Sequence, residues 1–383
     1  MEKQNYLALV NKAQHASFAY YVESVPSMSD AEFDELVGQI EKIEAEHPEW
    51  IVPDSPTQCI GSDLSANGRR TVRHRTPMLS CQKAQDTESV LKWLKKAVKT
   101  IGHDKFSVTL EWKYDGISCS LVYQDGCLVS ASTRGDGAEG QDILDHVAYI
   151  LDIPQKLKGD YATGRIEIRG EIICPTTNLH KMSARYSDCR TAASSLCNQS
   201  EPSSDCALLS FRPWSVDVPH FHLNDFNFET LELAYWQLGC GVSRQASVFD
   251  ANYPEGIIEE IAAFEAHRQS LEFPTDGIVI KINDKQLFQS LGSTAHHPKG
   301  SIAYKFPPTI VRTKCTSVGM TIGKSGRRTP VAYFEPVTIL GRTVSCASLY
   351  SESCAEKLGI KPGSTIEVGL SNDVIPKVYR VVE

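Results

Sequence analysis

The chain has 383 residues, too many for one compact core, so two or three domains are expected. It is 41% hydrophobic and 22% charged, with no apolar run long enough to cross a bilayer and a polar opening, Met1-Glu2-Lys3-Gln4-Asn5, that lacks the apolar core of a secretory signal. A cytoplasmic protein without a membrane partner is expected. The formal net charge of -8 excludes a protein that coats nucleic acid without specificity.

Local basic patches remain at Arg69-Arg70 through Arg73-His74-Arg75 and at Lys324 to Arg328. Either could meet phosphates, and a solvated charged loop accounts for each as well. Twelve cysteines are scattered along the chain with no C-x-x-C pair, so reduced, mostly buried thiols are expected rather than disulfides or a cysteine zinc site.

In chain order, the first predicted element is a helix in "SDAEFDELVGQIEKIEAEHPEW": Ser29 is placed to cap it, Glu32 follows three residues on, and Phe33, Leu36, Val37, Ile40 and Ile43 recur at helical spacing. Pro48 bounds it. The Pro-, Ser-, Asp- and Gly-rich "VPDSPTQCIGSDLSANG" then reads as a linker. From about residue 105 the pattern turns to strands, with Asp125-Gly126 predicting a hairpin between "GISCSLVYQ" and "CLVSASTRG". "RIEIRGEII", "DGIVIKIN" and "SIAYKF" are further strands, and "GIIEEIAAFEAHRQS" is of helical composition. The sum is an α+β core. After Pro307-Pro308 the short strands and turns through "GSTIEVGLSNDVIPKVYRVVE" have the spacing of a small all-β barrel.

Side chains alternate across a strand, so in "SVTLEWK" Val108, Leu110 and Trp112 share one face while Thr109, Glu111 and Lys113 share the other. The same alternation sets Glu167, Arg169 and Glu171 against Ile166, Ile168 and Ile172, Lys281 against Ile278, Ile280 and Ile282, and Lys305 against Tyr304 and Phe306. Solvated faces give the same periodicity. It is compatible with a groove of lysines and carboxylates, the chemistry that binds a nucleotide phosphate and a divalent cation. Lys281 and Lys305, with a metal held by acids, would favour a lysine nucleophile at Lys113.

Five stretches occur in order: "KYDG" at 113–116, "TRGDG" at 133–137, "EIRGE" at 167–171, "DGIVIK" at 276–281 and "AYKFP" at 303–307. Together they resemble the motifs of the bacterial NAD-dependent DNA ligases, a family of covalent nucleotidyltransferases. The resemblance implies a helical subdomain over 1–65 that binds nicotinamide mononucleotide, a nucleotidyltransferase (adenylation) domain with mixed and antiparallel sheets over 66–311, and an OB-fold barrel that binds DNA over 312–383. It implies that Lys113 attacks the α-phosphate of NAD, that the AMP passes to the 5′-phosphate of a nick, and that the 3′-hydroxyl then seals the strand. Lys113, Asp115, Lys281 and Lys305 are the catalytic candidates. Glu111 and Trp214 would contact adenine, Arg134 and Glu171 the ribose region, and Lys281 and Lys305 the phosphate. Asp115, Glu171 and Asp276 would hold Mg2+ or Mn2+.

The stretches "YYVESVPSMSDAEFDEL", "DSPTQCIG" and "HRTPMLSCQKA" also resemble that family, which adds Tyr20, Tyr21, Asp30, Asp34 and Ser80 as cofactor contacts, with Phe33 where a tyrosine is usual. Arg190 in "CRTAASSL" resembles the first arginine of a P-R-N-A-A-A-G-S-L-R run whose second arginine is replaced around Cys197-Asn198. With Lys324, Arg327, Val374 and Ile375 it completes the candidates for contacting nicked duplex DNA. A monomer is expected, in a minimal form that stops at Glu383 without zinc, helix-hairpin-helix and C-terminal modules. An ATP-dependent polynucleotide ligase or a capping-type nucleotidyltransferase shares the K-x-D-G chemistry, and the Tyr20 to Asp34 module argues against it. A clamp protein that kept the fold and lost catalysis is opposed by Lys113, Glu171, Lys281 and Lys305 occurring together.

Overall fold

The computed structural model describes residues 2–21, 27–28, 30–52, 55–58, 70–158, 163–182, 185–186, 188–217, 235, 246–294, 297–322, 328–339, 342–371 and 375–382. Two compact units emerge, one made of Met1–Ser24 and Ile40–Phe306 and the other of Val25–Gln39 and Pro307–Glu383. Among the described residues no helix is long and apolar enough to cross a membrane.

The chain opens with a helix, Glu2–Tyr21, within the helical subdomain that the resemblance implies but not singled out by its apolar spacing. Its signal is the stripe Tyr6, Val10, Ala13 and Ala16, spaced by four, three and three residues and buried in the fold. The expected second helix spans Asp30–Glu46 and ends before Pro48, which enters a short 3₁₀ turn, Pro48–Trp50. Ser29, its expected cap, lies outside the described residues. The expected linker is not all linker. Glu44, buried, takes hydrogen bonds from the Tyr6 hydroxyl at 2.9 Å, the Ser55 hydroxyl at 2.6 Å and the Thr57 hydroxyl, so residues 55–57 are pinned back onto the helical module.

The first unit contains two main sheets. Sheet one has the order β2 (Gln82–Ala84), β11 (Ser301–Lys305), β10 (Thr275–Ile282), β3 (Ser107–Tyr114) and β9 (Ala246–Asp250), antiparallel except for β2 on β11. Sheet two is antiparallel, in the order β5 (Cys127–Thr133), β4 (Ile117–Gln124), β7 (Arg165–Ile173) and β8 (Ser210–Asp217). The β4–β5 hairpin turns at Asp125-Gly126, as expected, with φ of 50° and 80°. A short ribbon pairs β1 (Thr71–Arg73) with β6 (Glu139–Gln141).

Each main sheet buries one face under helices. On sheet one, Val108, Leu110, Trp112, Ile278, Ile280 and Ile282 pack with Val90, Trp93 and Leu94 of the helix Thr87–Ile101 and Ile257, Ile261 and Phe264 of the helix Pro254–His267. On sheet two, Ile117, Leu121, Ile166, Ile168 and Ile172 pack with Ala192, Ala193 and Leu196 of the helix Cys189–Cys197. The apolar residues of each strand are the alternate ones, so the polar alternates are left on the opposite faces. The same sheet-two core holds five thiols, Cys119, Cys174, Cys189, Cys197 and Cys206, while Cys127 and Cys346 are exposed.

In the second unit five strands follow the order β14 (Arg342–Ser348), β13 (Arg328–Ile339), β12 (Ile310–Ile322), β15 (Thr365–Ser371) and β16 (Ile375–Val381). Phe334, Leu349, Ile366, Val368 and Leu370 form their core, and the helix Glu352–Leu358, capped by Ser351, joins β14 to β15. Glu367 on β15 accepts from Arg312 at 3.1 Å and Arg380 at 2.6 Å, tying three neighbouring strands. Lys324, Arg327 and Val374 lie outside the described residues, as do the side chains of Tyr20, Tyr21, Asp30 and Ile375.

Glu44→Ala leaves three hydroxyls without their acceptor and is expected to destabilise the first unit by on the order of 2–4 kcal/mol in urea unfolding. Glu41→Ala, exposed on the same helix, should stay within about 0.5 kcal/mol of the parent. Equal effects of the two changes contradict the role given to Glu44.

Candidate active site

On β10, Gly277 pairs with Lys113 of β3 on one side and Lys305 of β11 on the other, so two lysines flank a residue with no side chain. A Cβ on Gly277 would stand 2.1 Å from the Tyr304 carbonyl oxygen, which forbids any other residue without a backbone shift. Strict alternation would aim Asp276 with Ile278 toward the core. A register shift between Thr275 and Gly277 interrupts the ladder, and such a bulge re-aims a side chain. Asp276 thereby takes Lys113 Nζ on both carboxylate oxygens, at 2.7 and 2.8 Å, and stands 3.6 Å from Lys305 Nζ. Burial would raise the Asp276 carboxyl, but the Lys113 and Lys305 charges outweigh it and hold the group below its usual range.

Asp115 follows β3 and is ion-paired with Arg190, the second residue of the helix Cys189–Cys197. That helix start is set by Asp188, whose carboxylate accepts from the Thr191 amide at 2.7 Å and the Thr191 hydroxyl at 2.8 Å. Burial is the largest influence on Asp115 and, with the Asp276 charge, wins over Arg190 and Lys113, so its carboxyl lies above the usual range. Gly116, next in line, lets the chain pass the Ile172 carbonyl, which a Cβ would meet at 2.1 Å.

One row further along sheet one, Lys281 Nζ sits 3.1 Å from the Glu111 carboxylate, donates to the Trp214 carbonyl at 3.3 Å and lies 5.9 Å from the centroid of the Trp214 ring. Lys281 on β10 thus meets Trp214 on β8, bringing the polar faces of the two sheets together. On sheet two, Glu171 accepts from the Ser118 hydroxyl at 2.8 Å, and burial pushes its carboxyl up to about 7 against the pull of Ser118, Lys113, Arg190 and Arg134. Arg134 donates to the Ser80 hydroxyl at 3.2 Å.

A strap of residues 74–80, within the stretch "HRTPMLSCQKA", carries Ser80 to this place. Arg169 grips it through the Thr76 and Pro77 carbonyls at 2.6 and 3.2 Å, and His297 Nδ1 lies 2.8 Å from the Ser80 carbonyl. Arg169 also bonds Glu167 at 2.8 Å, so this pair on the polar face of β7 serves the strap rather than a ligand. Periodicity put both residues on the right face and could not separate them from Glu171.

The structure therefore brings Glu111, Lys113, Asp115, Glu171, Arg190, Trp214, Asp276, Lys281 and Lys305 onto the facing sides of the two sheets, with Ser80 and Arg134 beside them. Asp34 is half-buried on its helix in the other unit. Among the described residues no three carboxylate, histidine or cysteine side chains converge on a cation position. Asp115 and Asp276 already face cationic side chains, so a divalent ion would draw most of its ligands from phosphate oxygens and water, the usual habit of Mg2+.

Residues 66–309 match the family model described as NAD-dependent DNA ligase adenylation domain. The two-sheet groove is thus that of an adenylating domain. Residues 1–61 match the DNA ligase-like N-terminal NAD+-binding domain, and residues 312–383 match the NAD-dependent DNA ligase OB-fold domain. The chain belongs to the NAD-dependent DNA ligase family.

A DNA ligase of Kocuria rhizophila is 33% identical over 396 residues, covering 99% of this chain and 51% of that protein, so the chain spans about half the length of this curated relative. Among solved structures, Pmar-Lig_PreS3 has a TM-score of 0.43 at 14% identity, covering 88% of this chain and 67% of that one. The ATP-dependent DNA ligase of bacteriophage T7 in complex with ATP has 0.34 at 11%, covering 80% and 98%. Both are too distant to bear on the site.

The unfolded chain releases the Glu171 proton near 4.5, whereas the folded chain keeps it to about 7. The folded state then holds more protons between these values, and the stability that Glu171 contributes falls as pH rises through that window. Glu171→Gln does not titrate, so in denaturant titrations it is expected to gain on the parent from about pH 5 to about pH 8, by up to about 3 kcal/mol. A gap between the two proteins that ignores pH would show that Glu171 is not held in its neutral form by burial.

Proposed function

We propose that the protein is an NAD-dependent DNA ligase that seals nicks in duplex DNA. What carries the reading is the match of residues 1–61 to an NAD+-binding domain together with an adenylation groove in which Lys113 and Lys305 flank Gly277 and Lys281 lies further along the same sheet. Lys113 Nζ attacks the α-phosphorus of NAD, nicotinamide mononucleotide leaves, and a lysine–AMP phosphoramidate remains. The AMP then passes to the 5′-phosphate of the nick, and the 3′-hydroxyl attacks that phosphate and releases AMP.

The surroundings of Lys113 suit this sequence. Asp276 orients its Nζ through two hydrogen bonds, and an incoming phosphate would compete for both lysines that Asp276 now holds. Lys305 and Lys281 supply positive charge where the phosphate's charge develops, and in a groove poor in water such charges count for more than at a surface. Trp214 offers a ring for adenine, with Glu111 and Lys281 beside it; Arg134, Ser80 and Glu171 take the ribose side, and Arg190 the nick phosphate. Mg2+ or Mn2+, entering with the phosphates, would neutralise their charge, with Asp115, Glu171 and Asp276 as the carboxylates assigned to it.

Tyr20, Tyr21, Asp30 and Asp34 are assigned to the nicotinamide mononucleotide half within a helical subdomain of residues 1–65, followed by an adenylation domain to residue 311 and a DNA-binding barrel bearing Lys324, Arg327, Val374 and Ile375. The protein is proposed to act as a cytoplasmic monomer.

Incubation with NAD or ATP labelled in the adenylate group tests the reaction. Covalent label on the protein that survives denaturation and alkali is expected from NAD alone, and Lys113→Ala and Lys113→Arg should both abolish it, the latter because guanidinium stays protonated. Label from ATP instead, or an adduct on either variant, overturns the assignment.

The N-terminal residues give a second test. Asp34→Ala and Tyr20→Ala should lower self-adenylation far more than the joining of a nick whose 5′-phosphate is already adenylated. Equal losses in the two assays by a variant with an unchanged melting temperature would remove these residues from the NAD site.

A further inference from the structure

Residues 69–75, which run into the strap, hold four arginines; Arg73 lies in β1 of the β1–β6 ribbon, and Arg70 and Arg75 flank that strand. The ladder orders them. The Asp142 amide donates to the Arg70 carbonyl and the His74 amide to the Ala138 carbonyl, with Thr71, Val72 and Arg73 paired to Gln141, Gly140 and Glu139 between these bonds. Residues 70, 72 and 74 therefore direct their backbone to β6, and Thr71 and Arg73 turn theirs to the free edge.

Burial follows this division for Val72 and His74, whereas Arg70, which shares their side of the ribbon, is exposed at its end. Val72 and His74 are half-buried, while Arg70, Thr71, Arg73 and Arg75 are exposed. His74 packs inward with Nε2 3.1 Å from the Arg134 carbonyl, and burial lowers its pKa, so the ring stays neutral and belongs to the site's framework. The guanidinium groups of Arg70, Arg73 and Arg75 form no ion pair among the described residues.

Two acids lie near, Asp136 and Glu139, the latter opposite Arg73 in the ladder. The Asp136 carboxylate accepts from the Ala138 and Glu139 amides, both at 2.8 Å, and Glu139 meets the Thr71 hydroxyl at 3.4 Å. Arg73 stands on an edge whose backbone also offers donors, and Arg75 follows it two residues on, in the bend that leaves the strand. In a chain of net charge -8, such an arginine row is an anion-contacting surface.

We propose that Arg70, Arg73 and Arg75 form a track for the phosphate backbone of duplex DNA on the adenylation domain, an assignment that rests on the ligase reading for its partner. The track lies outside the nucleotide groove and touches it only through the framework of His74 and Arg134. It positions duplex and takes no part in the reaction with NAD.

Binding of the full chain to a fluorescent nicked duplex, measured by anisotropy over a series of salt concentrations, tests the track. Each arginine that neutralises a phosphate should add about 0.9 to the steepness of log K against log salt. The triple variant Arg70→Gln, Arg73→Gln, Arg75→Gln is expected to lose roughly two to three units of that slope, and each single change about 0.9. Self-adenylation from NAD and the melting temperature should be unchanged.

Lys95→Gln, Lys96→Gln, Lys99→Gln, with the same change of net charge on an exposed helix face, controls for overall charge. The track is overturned if the arginine variant loses no more slope than this control. A parent protein that takes no label from NAD but shows the arginine-dependent slope would reject the ligase reading and leave the track standing. A parent that labels itself, with a slope indifferent to the arginines, does the reverse.

Discussion

The site turns on one carboxylate between two ammonium groups. Asp276 is buried deeply enough that its charge would be unfavourable alone, and Lys113 and Lys305 make it favourable. A half-neutralised version would be worse than none, since removing one member of a buried ion pair typically costs about 3–5 kcal/mol. The three groups meet because β10 lies between β3 and β11, because Gly277 leaves the lysines room, and because the irregularity before it turns Asp276 out of the core. Move any of these and the lysines lose their common anchor.

Around this centre the two sheets hold their acids in different ways. Asp276 stays ionised under two cations, whereas Glu171 has, among the described residues, only the Ser118 hydroxyl in direct contact and is lifted toward neutrality. Asp115 is also raised, with burial prevailing over the arginine beside it. Carboxylates shifted in opposite directions within one groove mark it as a candidate functional site, because neighbouring charges and burial act on each separately.

Much of this was legible from strand alternation. Glu111, Lys113, Glu171, Lys281 and Lys305 all lie on the face opposite their strand's buried residues. Asp276 was not, because a bulge breaks the period that alternation depends on; only its likeness to a family motif pointed to it. Asp125-Gly126 announced its hairpin because few other dipeptides accept two positive φ values. The first helix was not singled out by its spacing because its buried stripe contains two alanines and a tyrosine, too little apolar bulk to stand out in a polar segment. The pinning of Ser55 and Thr57 to Glu44, and of the 74–80 strap to Arg169 and His297, is tertiary, and turn-forming composition says nothing about where a turn is fastened.

Five thiols lie in the core beneath sheet two, and two others are open to solvent at Cys127 and Cys346. Alkylation requires a thiolate that a reagent can reach, so the inner group is silent until the sheet separates from its helices. Labelling the native protein with isotopically distinct maleimides therefore clocks the breathing of that sheet, with the exposed pair as an internal standard. Occupancy of the groove, which is built on the other side of the same strands, should slow the inner clock while leaving the outer one alone.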